Sequence, residues 1–325
     1  MFTPIRFFAA LCAGLLLAAP SAFAADPYPS RPIRMIVAFA AGGSADINAR
    51  VVAQQLAKEL GGTIIIENKG GAGGNLGAVE VKRSAPDGYT IFYATSAAVL
   101  APALYSKPGF DPYTDFVPIS LTATIPLVLV VNPAVPAKTV ADLAAWSKEK
   151  RGEVNYGSSG AGAILHLGGA LFLKETGVQA AHVPYKGSAG AVSDLLGGSV
   201  QFMFLPINEA FPHIDSGGFR PLAVAHDQRL PLVPNVPTLR EATGLSTMDM
   251  GAWQGLMVPK GTPSEITDKL TAAIGRVLND RDVRKRLEGQ GSIVLGGTAK
   301  DFADYMKVEG ERWTRIVRET GAKAD

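Results

Sequence analysis

Short apolar runs alternate with amphipathic stretches along most of the chain. The runs that predict strands are Ile33–Phe39, Thr63–Glu67, Thr90–Ala94, Leu127–Val131, Val154–Tyr156, His182–Tyr185, Gln201–Leu205, Leu222–Ala225 and Gly255–Val258. Between many of them the apolar spacing is helical. Ile47, Val51, Leu56 and Leu60 share one face, and Val140, Leu143 and Trp146 share another. Ile266, Leu270, Ile274 and Val277 form a third stripe, and Phe302, Met306, Trp313 and Ile316 form the last, interrupted by Gly310. Thr139 with Asp142, and Thr298 with Asp301, have the spacing of capping pairs at helix starts. Such alternation predicts parallel sheets covered by helices, with the stripes as core. The proline-rich stretches Pro108–Pro118 and Pro231–Pro237 predict surface loops.

Length and composition narrow the class. At 325 residues the chain is long enough for two domains, each with its own core. With 47% hydrophobic and 18% charged residues it is globular, not disordered. A formal net charge of +2 argues against a nucleic-acid partner. Arg6, the apolar run Phe7–Ala19, the break at Pro20 and the small-x-small site Ala22-Phe23-Ala24 predict a signal peptide over residues 1–24, cut after Ala24. A membrane anchor is the alternative, but the run is short against the ~20 residues a spanning helix needs. Cys12, the single cysteine, lies inside this segment and lacks a lipobox before it, so the mature chain would hold no disulfide. An exported, soluble, bacterial periplasmic protein is expected.

The informative chemistry lies in glycine-rich strand-to-helix turns. They are Val37 to Asp46 with Gly42-Gly43, Asn68 to Gly77 with Gly70-Gly71 and Gly73-Gly74, Tyr156 to Gly162 leading into the helix Ile164–Glu175, and Pro184 to Gly190. Ligands of open α/β sheets bind outside the carboxyl ends of strands. Helix starts there present unpaired N–H groups that suit an anion, and glycine lets the backbone come close. Any one such turn could be a tight turn and nothing more; the four together predict an anion site between two lobes. Ser44 as an N-cap and Asp46 in the first turn would complement the helix dipole.

Enzymatic signatures are absent. Gly71 to Gly77 misses the dinucleotide pattern by one position, no GxxxxGK[ST] loop occurs, and Gly157-Ser158-Ser159-Gly160-Ala161 fails the nucleophile elbow at Ala161. His166, His182, His213 and His226 are scattered without metal-ligand spacing. No metal and no cofactor are expected. His166, on the helix after its turn, could face a cleft or serve structure alone.

Several stretches resemble the periplasmic receptors of tripartite tricarboxylate transporters, the Bug receptors. They are Tyr28-Pro29-Ser30-Arg31-Pro32-Ile33, Ala41-Gly42-Gly43-Ser44-Ala45-Asp46, Gly71-Ala72-Gly73-Gly74-Asn75-Leu76-Gly77, Pro86-Asp87-Gly88-Tyr89-Thr90, His182-Val183-Pro184-Tyr185-Lys186-Gly187, Val236-Pro237-Thr238-Leu239 and Trp253 to Pro263. They run in order through nearly the whole mature chain. The resemblance implies a two-lobed type II periplasmic-binding-protein (Venus flytrap) fold of class α/β, with two mixed sheets flanked by helices. Two crossover strands are expected near Leu127–Val131 and Gly255–Val258. Lobe one would be residues 25–127 plus 254–325, and lobe two residues 128–253. The implied function is capture of a small organic carboxylate by backbone amides, hydroxyls and waters, without arginine, by a monomer that delivers it to the transporter's membrane subunits. By the same resemblance lobe one would contribute Ala41, Gly42, Ser44, Asn75 and Ser96, and lobe two Ser158, Ser159, Gly160, His166 and Tyr185. Pro206-Ile207-Asn208 departs from the small or acidic residues often found there in relatives. Two alternatives stay open: a periplasmic enzyme on this scaffold, for which Ser158 with His166 is the available pair, and presentation of the ligand to a sensor kinase.

Overall fold

The computed structural model describes residues 28–245 and 250–323. The expected signal segment lies outside the described residues. The first sheet is built from β1 (Ile33–Val37), β2 (Ile64–Asn68), β3 (Thr90–Thr95), β4 (Phe116–Val131) and β9 (Gly251–Pro259), in the order β2-β1-β3-β9-β4. β1 pairs parallel with β2 and β3, while β9 runs antiparallel to β3 and β4. The short β10 (Ile293–Val294) closes the far edge of β4. In the second sheet β5 (Asn155–Ser158) lies parallel to β6 (Ala181–Pro184) and β7 (Phe202–Pro206). There β4 runs antiparallel to β7 and to β8 (Arg220–Ala225). The mixed sheets and their helices give the expected α/β periplasmic-binding-protein fold.

β4 belongs to both sheets. Phe116 to Pro126 pair with β9, whereas Leu127 to Val131 pair with β7 and β8. The return passes through Met250, whose N–H donates to Ala225 and whose carbonyl accepts from Leu127. Gly255–Val258, expected to cross, instead pair with β3 and the first part of β4, and residues 251–253 also pair within the first sheet. The end of the stretch expected to be a loop, Phe116–Pro118, is strand. The register shifts between Pro118 and Ser120, the irregularity a residue without an N–H imposes.

Helices α1 (Ser44–Leu60) and α9 (Ser264–Asn279) cover one face of the first sheet, where Val52, Leu56, Ile274 and Val277 are fully buried against Met35 and Val37. The other face buries Phe92, Trp253 and Phe302, the last from α11 (Ala299–Thr320). The second sheet buries Leu127–Val131, Phe202 and Phe204 together with Phe172 of α5 (Ile164–Thr176). Trp313, Ile316 and Val317 at the far end of α11 join this second core, so one helix packs against both sheets. The capping boxes Thr139–Asp142 and Thr298–Asp301 form as their spacing predicts, and Thr238–Glu241 adds another.

Candidate functional site

Each parallel strand of interest ends at one rim and hands the chain directly to a helix start. α1 follows β1; α2 (Asn75–Lys82) follows β2 through the glycine turn; α3 (Ala97–Leu104) follows β3. From the other sheet α5, α6 (Ser188–Gly197) and α7 (Ile207–Asp215) follow β5, β6 and β7. The two rims meet. The Tyr105 hydroxyl donates to the Ala161 carbonyl at 2.9 Å. Gly73 and Gly187 take left-handed backbone where the rims touch: a Cβ on Gly73 would lie 2.8 Å from the Ala161 oxygen, and one on Gly187 3.0 Å from the Ala40 Cβ.

An inner cavity of about 50 Å³ lies at this junction. Hydroxyls reach it from both sheets: Ser44 and Ser96 from the first, Ser159 and Ser188 from the second. Gln254 also lines it; its amide donates weakly to Ser44 and its carbonyl accepts from the buried Tyr93 hydroxyl at 3.0 Å. None of α1, α3, α5 and α6 is capped by its own N-cap side chain. The Ser44 N–H of α1 donates instead to Glu209 and the Ala97 N–H of α3 to Thr95 Oγ1, which leaves the starts of α5 and α6 for another acceptor. Among the described residues, neither Arg nor Lys lines this cavity. Outside it, a wider opening of about 310 Å³ runs between the Gly71–Gly74 turn, Ser159–Ala161 and Pro184–Lys186. Phe39 and Ser159 line both spaces.

The expected site residues separate accordingly. Ser44, Ser96 and Ser159 line the inner cavity, and Gly160 and Tyr185 line the outer opening with Ser159. Ala41 and Gly42 are exposed at the rim and Asn75 is buried at the start of α2; none of these lines either space. Ser158 is fully buried, and its Oγ lies 2.6 Å from His182 Nε2. His166 stacks on His182 with ring centroids 4.0 Å apart, and its Nδ1 accepts from the Gly162 N–H. Burial depresses both imidazoles, and the neighbouring His166 adds to this at His182, which falls to about 4. Ser158 and His166 therefore brace the turn from beneath; Ser158 pairs with His182, not His166. Tyr185 is raised to about 12 by burial and by its hydrogen bond to Asp194.

Ser44 is the first helical residue, and Gly43 holds the N-cap position expected for it. Asp46 supports the turn. Burial works against its charge, yet the Arg50 guanidinium, the Gly42 N–H and Asn68 hold its carboxyl below the usual carboxylate range.

Sequence reasoning did not find Glu209, whose Oε1 accepts from the Ser44 N–H at 2.5 Å. Nor did it single out Ser188 and Gln254. Glu209 follows the carboxyl end of β7, the position the other turns occupy, but no glycine marks it.

A profile described as the tripartite tricarboxylate transporter family receptor matches residues 48–322. Protein BugT of Bordetella pertussis is 39% identical over 310 residues, covering 94% of each chain. The solved structure of the periplasmic binding protein BugD superposes with a TM-score of 0.88 at 35% identity, over 91% of this chain and 99% of that one. An R. palustris protein solved with adipate has a TM-score of 0.88 at 33% identity, over 91% and 99%. MatC of Rhodopseudomonas palustris, solved with malate, has a TM-score of 0.85 at 35% identity, over 89% and 100%. With the profile spanning most of its length and relatives matched nearly end to end, the chain belongs to the tripartite tricarboxylate transporter (TctC, or Bug) family of periplasmic solute-binding receptors.

Proposed function

We propose that this protein captures a small organic carboxylate between its two sheets in the periplasm and delivers it to the membrane subunits of a tripartite tricarboxylate transporter. One observation carries the reading. The open starts of α5 and α6 and the hydroxyls of Ser44, Ser96, Ser159 and Ser188, from both sheets, converge on a cavity that no Arg or Lys among the described residues lines. Open amides and hydroxyls hold a carboxylate well without a cation. Adipate and malate in two relatives belong to the same ligand class. The lobes would hinge where β4 changes partner at Pro126–Leu127 and where the chain returns at Met250–Gly251. The buried Ser158–His182 pair favours a receptor over an enzyme, since an imidazole titrating at about 4 is a weak base and its serine does not line the cavity. The test is uptake of labelled carboxylate into membrane vesicles carrying the two membrane subunits. Purified receptor should make uptake saturable; uptake that is the same with and without it would reject the delivery role.

A further inference from the structure

We propose that Glu209 sets the ligand class of this cleft: its carboxyl occupies the anion-holding start of α1, so the site takes a carboxylate that also carries an ammonium group and rejects a dicarboxylate. The inference rests on the carboxylate-receptor reading and narrows it.

Glu209 lies in the first turn of α7, from the second sheet, and reaches across to the Ser44 N–H of α1. Ser188 is part of the same cluster. A Cβ added to Gly43 would lie 3.3 Å from Ser188 Oγ and 3.7 Å from Glu209 Oε1. α1 has no side-chain cap of its own, so a carboxyl from the opposite sheet meets its start as a ligand carboxylate would. That place is taken. The start of α5, with the hydroxyls of Ser159 and Ser96, remains for the ligand's carboxylate.

Charge balance then selects the rest of the ligand. Among the described residues, Glu209 is the one ionisable side chain lining the inner cavity, and no Arg, Lys or His lines it. Glu209 is partly buried and lines the cavity. Burial raises its pKa, against the opposing pull of Ser188 and the Ser44 N–H. A dicarboxylate would bring two negative charges beside a carboxyl whose own charge burial already disfavours, and uncompensated buried charge is strongly unfavourable. An ammonium group would pair with Glu209 through a charge-assisted hydrogen bond, leaving the ligand's own carboxylate for the open amides.

Calorimetric titration of the purified protein with amino carboxylates, both α and ω, and with dicarboxylates of the same chain length tests this. Wild type should bind at least one amino carboxylate about tenfold or more tightly than the matched dicarboxylate, the factor one charge-assisted hydrogen bond supplies. Glu209→Gln keeps the shape and removes the charge, and Glu209→Ala removes both; each should erase or invert that preference. Wild type preferring the dicarboxylate, or folded variants keeping the wild-type preference, would overturn the proposal and leave the receptor reading standing. Wild type and variants silent toward both classes would overturn the two together. Should either variant fail to melt cooperatively, the wild-type preference decides.

Discussion

Two adjacent serines have opposite tasks. Successive residues at a strand end point to opposite sides. Ser158, the last residue of β5, is turned inward onto His182, and Ser159 faces the cavity. Ser159→Ala should therefore lower ligand affinity about 10-fold or more, the loss expected for a direct hydrogen bond to a charged group, with little change in the ligand-free melting temperature. Ser158→Ala leaves His182 Nε2 without its partner and should cost about 1–3 kcal/mol of stability, with a smaller effect on affinity. Calorimetry and thermal melting of both variants separate the two roles. The imidazole stack adds a pH dependence. His182 is held neutral in the fold, with its pKa near 4 against an ordinary 6.5, so the unfolded chain takes up the proton first as pH falls. Stability contributed by the neutral ring is complete above about 6.5 and is lost as pH drops toward 4. The slope is at most about 1.4 kcal/mol per pH unit for one such group. Melting temperatures between pH 7 and 4 should fall less steeply for His182→Gln than for wild type; parallel curves would count against this assignment.

At the level of elements, the rim is made by short turns that leave little or no room for a side chain where they touch, at Gly73 and Gly187. Gly73 holds a left-handed backbone with Ala161 and the Tyr105 hydroxyl each within 2.8 Å of where a Cβ would sit. Gly73→Ala should force the facing turns apart, weakening ligand binding severalfold while the two cores, to which Gly73 does not belong, still melt cooperatively. An unchanged affinity would mean that this contact does not govern closure. Much of this architecture was legible in the sequence. Each predicted apolar run overlaps a strand, because strands buried between layers, such as β1 and β3, read as continuous apolar stretches, and the two threonine–aspartate boxes have a fixed spacing. The first part of β4 was hidden by Pro118 and by polar Ser120, Thr122 and Thr124 on a strand whose purpose is to pass between sheets. The turn glycines pointed to the correct rim. They did not distinguish Ser158 from Ser159, which depends on which way a strand end points, nor find Glu209. α7 follows β7 without a glycine turn, and contact across 165 residues of sequence leaves no local signal.

For the whole molecule, the closure implied by the proposed function would be a relative motion of two cores joined by β4, by the return at Met250 and by α11. The end of α11 packs on the second core while its start packs on the first. Ligand should shift the protein toward a more compact arrangement, lowering the radius of gyration measured by small-angle scattering. Trp313→Ala, which empties a fully buried site in the second core, should cost about 3–5 kcal/mol in thermal or denaturant unfolding. The central claim is that the cleft holds a small carboxylate through amides and hydroxyls from both sheets. Calorimetric titration of the protein with carboxylates and neutral sugars tests it most directly. The account predicts one-to-one binding of a carboxylate with a dissociation constant of roughly 0.1–10 μM, about −8 to −10 kcal/mol, reduced in Ser159→Ala. A neutral sugar binding more tightly than every carboxylate tried would contradict it.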